Sequence, residues 1–337
     1  MVIDRRSWLA ALIGVLAQSA CSSAAPAPAK PPPPPLSLDP LDTLATSADL
    51  VWMVRARPRA IAQIPWLIPA IGRIVPEPHF DAFRLRTGLD PRQLHEVLLL
   101  RYGAALGDAE AQIVRHNADA VAVEKSFFAR LSSDAERIED HPELVRIAGT
   151  IGRTRHAFAR LGRDVVAFQQ RGDTAKGPVA IASLFARGKL TRAPRLLAEY
   201  PLGPLVGRFG DAPVIAAAIG PFTDEWKKAA HGLLEIATAV GAAARPTARE
   251  NVGIAIALVG AFGQDAAKAA EVFRTAWDEV ALSTMGGLLG LDRPVEAPVS
   301  AGHEDVVTLS VELEPGRLTE GLKALIEQDI EAIMRLD

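Results

Sequence analysis

Cysteine is nearly absent from this 337-residue chain: it occurs once, at position 21. No disulfide can form within the chain, so packing must stabilise the fold. Aromatic residues are scarce too, at 5%, and Tyr102 and Tyr200 are the two tyrosines. Carbohydrate sites stack sugars on aromatic faces and protein hot spots favour Trp and Tyr, so both readings lose support. Neither sign of charge dominates, since 37 basic against 40 acidic side chains leave −3. That balance gives no electrostatic case for nucleic-acid binding. Long apolar runs are also missing. The best internal candidates, "APVIAAAIGPF" and "NVGIAIALVGAF", are about a dozen residues each, short of the ~20 that span a bilayer and suited to buried strands.

Catalytic signatures are wanting in the same way. Seven histidines (79, 95, 116, 141, 156, 231 and 303) stand singly, and "HED" at His303–Asp305 lacks the second histidine of a zinc helix motif. There is no Gly-x-Ser-x-Gly elbow, and no serine is followed three residues later by lysine. "RGKLT" at Arg187–Thr191 lacks the upstream glycine and adjacent hydroxyl of a phosphate loop, and "AGTIG" is too short for a dinucleotide fingerprint. "RGD" at Arg171–Asp173 reads as a polar turn after a strand. "ERIEDHPE" (Glu136–Glu143) gathers four acids around His141, which could imitate an acid–base cluster but reads better as a solvated turn. No catalytic residue, cofactor site or metal site is assigned, and the sequence leans against an enzyme.

What is present begins at the N-terminus. Arg5 and Arg6 form a short positive region, and Trp8–Ala17 follow without a charge. The small residues Ser19 and Ala20 lead into Cys21. This layout is that of a secretory signal. Ser19-Ala20-Cys21 resembles the lipobox of bacterial lipoproteins, which implies that residues 1–20 are a signal peptide and that the Cys21 thiol carries the lipid. "DRRSWLA" also looks like a twin-arginine export signal, so the export route stays open between that pathway and the general one. Acylation would explain a lone cysteine in an exported protein, because a lipidated thiol cannot mispair.

The segment after Cys21 fits the same reading. Residues 22–40 contain eight prolines, with the unbroken run Pro31–Pro35. Such a stretch prefers extended polyproline II and, at ~3.1 Å per residue, could hold a domain roughly 60 Å from its anchor. Residues 21–43 are expected to be the lipid-attachment cysteine and tether. The resemblance implies an exported protein anchored by lipid to a bacterial membrane, facing the periplasm or the cell surface.

The remaining chain alternates strand and helix signals. "DLVWMVRAR", "EVLLLRYG", "ELVRIAGTIG", "DVVAFQQRG", "PVIAAAIGPF", "NVGIAIALVGAF" and "DVVTLSVEL" read as strands. "ADAVAVEKSFFARL" predicts a helix with Val121, Phe127, Phe128 and Leu131 inward, "RTRHAFARLG" reads as helical, and "KGPVAIASLFARGKL" predicts another helix. A helix is expected through Trp226, Leu233, Leu234, Ala237 and Val240. Two long amphipathic helices close the chain, through Phe273, Trp277 and Val280 and through Leu318, Leu322, Leu325, Ile326 and Ile330. Pro65 and Pro69 must split "RAIAQIPWLIPAIGRIV" into short turns.

The expected class is α+β, a mixed or antiparallel sheet or sheets covered by amphipathic helices. The breaker-rich "PLGPLVGRFGDAP" suggests a boundary, with one α+β half at 44–205 and another at 206–337. Gly88-Leu-Asp90 and Gly290-Leu-Asp292 precede returning strands in each half. Duplication and shared turn chemistry explain that weak repeat equally well. Two roles fit: a non-enzymatic binding or structural module of the envelope with an unknown envelope protein as partner, or a carrier or chaperone for an apolar ligand in a cavity between sheet and helices. A pocket lined by residues such as Leu233, Phe273 and Trp277 would favour the second.

Overall fold

The computed structural model describes residues 33–132, 134–190, 195–223 and 225–326. Arg5, Arg6 and Cys21, together with Ile330, lie outside the described residues. A buried 3-10 turn at Leu41–Leu44 leads into β1 (Leu50–Ala56). Pro58, Pro65 and Pro69 break the next segment into α1 (Pro58–Ala62), a 3-10 turn and α2 (Ile68–Ile74), as expected. Then come α3 (Glu77–Thr87), β2 (Glu96–Tyr102), β3 (Glu110–Arg115) and α4 (Ala120–Phe128). Four strands follow: β4 (Glu136–His141), β5 (Leu144–Ile151), β6 (Thr154–Leu161) and β7 (Val165–Gln170). Helices α5 (Pro178–Ala186) and α6 (Leu202–Phe209) lead to β8 (Val214–Ile219). Two short helices, α7 (Glu225–Lys228) and α8 (Leu233–Ile236), precede β9 (Ala237–Pro246) and β10 (Val252–Gly260). The chain continues with α9 (Ala266–Leu282), α10 (Thr284–Leu288), β11 (Val299–His303), β12 (Val306–Leu313) and α11 (Pro315–Ile326).

Among the described residues, twelve strands join one open sheet in the order β11-β12-β10-β9-β8-β1-β2-β3-β7-β6-β5-β4, and each of these pairings is antiparallel. The class is therefore α+β. The two expected halves meet at the β1–β8 pair, from Trp52↔Ala218 to Ala56↔Val214, so one sheet runs through both. From that pair each half meanders outward, β1-β2-β3 on one side and β8-β9-β10 on the other. The repeated Gly-Leu-Asp does not follow this symmetry, because it precedes β2 in one half and β11–β12 in the other. Gly88 (φ 76°) and Gly290 (φ 72°) share a left-handed backbone after a helix, which is turn chemistry.

One face of the sheet carries a continuous core. Met53, Leu98, Leu100, Ala167, Ile215, Ala239 and Val259 point to it, covered by Val179 and Ala182 of α5 and Leu202, Leu205 and Phe209 of α6. The opposite face carries two separate clusters. On the C-terminal wing, Leu258, Val307, Leu309 and Val311 meet Phe273 and Trp277 of α9. On the N-terminal wing, Val97, Val114, Phe158 and Val166 meet Val123 and Phe127 of α4.

Several expectations are overturned. "RTRHAFARLG" is strand β6, not a helix: it pairs with β5 and β7 along its length, and those two ladders outweigh local helix propensity. "PLGPLVGRFGDAP" is not a boundary but contains α6, whose Leu202, Leu205 and Phe209 are 1% exposed or less. Pro204 fits there because it falls in the first helical turn, where its missing N–H costs no bond. Ala237 and Val240 lie in β9, between β8 and β10, and not in a helix. Small residues are needed there, since a Cβ at Gly241 would sit 2.9 Å from the Phe209 ring. "ERIEDHPE" is mostly edge strand β4, whose exposed charges suit an unpaired edge. The inward residues of α4 are Ala120, Val123 and Phe127, while Val121 and Phe128 face solvent. Val280 is likewise 54% exposed, away from the stripe of Phe273 and Trp277.

Folded structure also starts earlier than residue 44, within the segment expected to be tether. The compact unit runs from Leu36, and Leu36 and Leu38 pack against the main core. Ser37 N–H donates to the Ala186 carbonyl at 2.8 Å, and the Arg115 guanidinium donates to the Leu38 carbonyl at 2.7 Å while pairing with Asp39. A chain starting at Leu36 is expected to match the full chain in urea unfolding, whereas one starting at Leu41 loses two part-buried leucines, ~1–3 kcal/mol together. Equal midpoints for the two truncated chains would show that residues 36–40 contribute nothing.

Candidate functional site

On the N-terminal wing, strand alternation sets three rows of side chains side by side. Val97, Val114, Val166 and Arg160 are cross-strand neighbours in β2, β3, β7 and β6. The next row is Leu99, Gln112, Phe168 and Phe158, and the third is Arg101, Glu110, Gln170 and His156. The floor therefore passes from aliphatic through aromatic to polar across ~14 Å of strand, at ~3.4 Å per residue.

Helices α3 and α4 roof this floor. Asp119 caps α4, its carboxylate accepting the Val121 N–H at 2.9 Å. Phe127 then stacks on Phe158 at 5.0 Å between centroids, and Phe168 meets Phe158 edge-on at 5.3 Å. Helix α3 ends at Gly88, whose left-handed backbone (φ 76°) turns the chain beside Val123, where an added Cβ would lie 3.4 Å away. Thr87 is buried there with its hydroxyl satisfied: it donates to the Phe83 carbonyl at 2.8 Å and accepts the Leu89 N–H at 3.1 Å.

Roof and floor do not close completely. A cavity of about 110 Å³ remains, walled by Phe83, Leu89, Val97, Val114, Phe127 and Phe168. Its polar end holds Glu110, Gln112, Gln170, His156 and Arg130. Glu110 is already engaged: Arg101 pairs with it at 2.6 Å, Arg171 lies at 3.6 Å, and the Gln170 amide donates to its other oxygen. Arg130 is not. Among the described residues neither Arg130 nor its neighbour Arg86 forms an ion pair, and the buried Nε atoms of both lack a hydrogen-bond partner. The Arg130 guanidinium lies over the Phe127 ring, 5.5 Å from its centroid. Burial, and then the charge of Arg86, lower its pKa from the usual arginine value. His156 Nε2 is also buried without a partner, and burial followed by the Arg130 charge depresses that imidazole's pKa.

The sequence expectation placed a pocket elsewhere. Phe273 and Trp277 do line a second hollow of about 340 Å³, with Ile256, His231 and Glu279, but Leu233 is not part of its wall. That hollow is an open groove, bordered by Lys228 at the end of α7 and by Ala230 in the turn that follows. The sequence does not disclose the N-terminal cavity, because β3 carries no clear strand signal and the β6 segment reads as helical. The usable signal was the alternation in "VVAFQQ", which puts Phe168 and Gln170 on one face. His141 and His303 sit on strands at opposite edges of the sheet, β4 and β11, and take no part.

Among the described residues, no group of three or more His, Cys, Asp or Glu is placed to hold a metal ion, and no helix is long and apolar enough to cross a membrane.

Comparison with known proteins gives a fold and no family. No family model and no curated protein sequence matches the chain. Among solved structures, crystal form III of the Treponema protein TP0453 superposes with a TM-score of 0.51 at 11% identity, covering 86% of this chain and 99% of that one. Crystal forms IV and I of the same protein score 0.48 and 0.46, at 10% and 12% identity. The chain is thus similar in α+β architecture to TP0453 over nearly all of that protein's length, a likeness of fold alone.

Proposed function

We propose that the protein is a membrane-tethered lipoprotein of the cell envelope whose folded domain works by non-enzymatic binding, and that its ligand is an apolar molecule held between sheet and helices. The observation that carries this reading is the cavity under α3 and α4. Packed interiors leave few voids larger than a water molecule, because each unfilled space forfeits dispersion contacts. A cavity of about 110 Å³ with apolar walls at one end, beside a stacked aromatic cluster, is therefore a feature to explain. Engineered cavities of ~150 Å³ with such walls stay dry and bind benzene-sized molecules. The space accepts part of a chain or a small ring, and a longer ligand would extend through the mouth.

The anchor rests on Cys21 and its flanks, and Arg5 and Arg6 serve as the export signal. One acyl chain holds a protein only marginally, so stable attachment needs the further chains that lipoprotein processing adds. Cys21→Ser is expected to move the protein from the membrane fraction to the soluble fraction and to abolish fatty-acid labelling. Labelling that persists in the variant would refute the anchor. For the binding role, native mass spectrometry of that released protein is expected to show about one non-covalent apolar molecule per chain. A domain that carries none, and takes none up from lipid extracts, would refute it.

A further inference from the structure

The polar end of the N-terminal cavity holds Arg130 and His156, each with a buried nitrogen that lacks a hydrogen-bond partner. Several arginines of this wing have carboxylate partners: Arg101 with Glu110, Arg160 and Arg137 with Glu124, Arg115 with Asp39, and Arg155 with Asp134. Arg86 is near enough for its charge to act on Arg130, yet neither has a carboxylate partner among the described residues. Holding two guanidinium groups part-buried together costs free energy through desolvation and like-charge repulsion. The Phe127 ring offsets some of that for Arg130. Glu110 cannot complete the balance, because Arg101, Arg171 and Gln170 already claim both its oxygens. Asp134, the other carboxylate of this corner, is held by Ser132, Thr150 and Arg155.

An anion at the polar end of the cavity would satisfy the two unpartnered groups in its wall, Arg130 and His156. Arg130 would supply charge-assisted donors, His156 would offer one ring N–H, and the nearby charge of Arg86 would add to the attraction. Beside that end stand the apolar walls of Phe127, Phe168 and Val114. We propose that the cavity is a binding site for an anionic amphiphile, with a carboxylate or phosphate headgroup on Arg130 and His156 and the first carbons of its tail between Phe127, Phe168 and Val114. This rests on the apolar-ligand reading above and adds the headgroup.

The test uses the full chain carrying Cys21→Ser, so that the protein's own acyl chains do not compete. Titration calorimetry with octanoate, octyl phosphate and octanol is expected to rank one or both anions at least tenfold tighter than the alcohol. The preferred anion then tells a fatty-acid headgroup from a phosphomonoester. Arg130→Gln is expected to weaken anion binding about tenfold and to leave octanol binding unchanged. Retained thermal unfolding of the variant separates this from misfolding. Inorganic phosphate, lacking a tail, is expected not to compete at millimolar concentration. If octanol binds as tightly as octanoate and octyl phosphate, or Arg130→Gln leaves anion affinity intact, the headgroup assignment is wrong while the carrier reading stands. Binding by inorganic phosphate as strong as by octanoate reduces the site to an anion site and overturns the amphiphile. If no octyl compound binds, both readings fall.

Discussion

Phe158→Ala is expected to be among the most damaging single substitutions on the N-terminal wing, lowering stability by ~3–5 kcal/mol. The side chain is 0% exposed in the middle of β6, with β5 and β7 paired on either side. It is also the hub of the aromatic cluster, stacked on Phe127 and edge-on to Phe168. Truncation removes both ring contacts and the transfer free energy of a benzyl group. Neighbouring strands are held by ladders on both sides and cannot collapse into the gap, which places the cost toward the upper end of that range. The loss is a large part of the ~5–15 kcal/mol that stabilises a typical domain. Urea unfolding should show a lower midpoint at unchanged slope. A change below ~1 kcal/mol, the cost of an ordinary surface position, would mean that β6 is not a central core strand.

On the C-terminal wing, Trp277→Ala is expected to cost a comparable ~3–5 kcal/mol. Trp277 and Phe273 stand one turn apart on α9 and lie over Leu258, Val307, Leu309 and Val311 of β10 and β12. Helix α9 is seated closely. A Cβ at Gly302 of β11 would fall 1.9 Å from the Ala266 carbonyl oxygen, so the strand and the start of the helix are in backbone contact. A helix pinned in that way cannot shift to refill the space of a lost indole. The two wings share one sheet through β1 and β8, so each substitution should move a single cooperative transition and not create a second one. Two separated transitions in Trp277→Ala would show that the C-terminal wing unfolds by itself. Full stability with loss of a bound apolar molecule would transfer the binding role to the groove beside α9.

Turns, breakers and alternation set much of the architecture without tertiary information. Pro58, Pro65 and Pro69 dictate short helices after β1 by their fixed φ and missing N–H. "EVLLLRY" and "VVTLSVEL" can hide their apolar residues only in a sheet, and they do so as β2 and β12. The mixture of helix and strand signals fixed the α+β class. The near-absence of cysteine required stability from packing, and three apolar clusters supply it.

Tertiary structure decided the rest. "RTRHAFARL" and "ATAVGAAARP" carry alanines and alternation that suit a helix or a strand, and nothing within either segment breaks the tie. Each becomes a strand because it lies between two others whose N–H and C=O groups need partners. The reverse holds for "LGPLVGRF", where three glycine or proline residues argue against a helix locally but burial of Leu205 and Phe209 outweighs them. Whether the halves form two sheets or one is likewise invisible in the sequence, since it depends on the register of β1 against β8 across some 160 positions of chain. The candidate site has the same origin. Phe83, Val114, His156 and Phe168 come from four elements and Arg130 from the turn after α4, and no local pattern links them. Their convergence follows from strand order, and strand order is set by which apolar faces can be buried together.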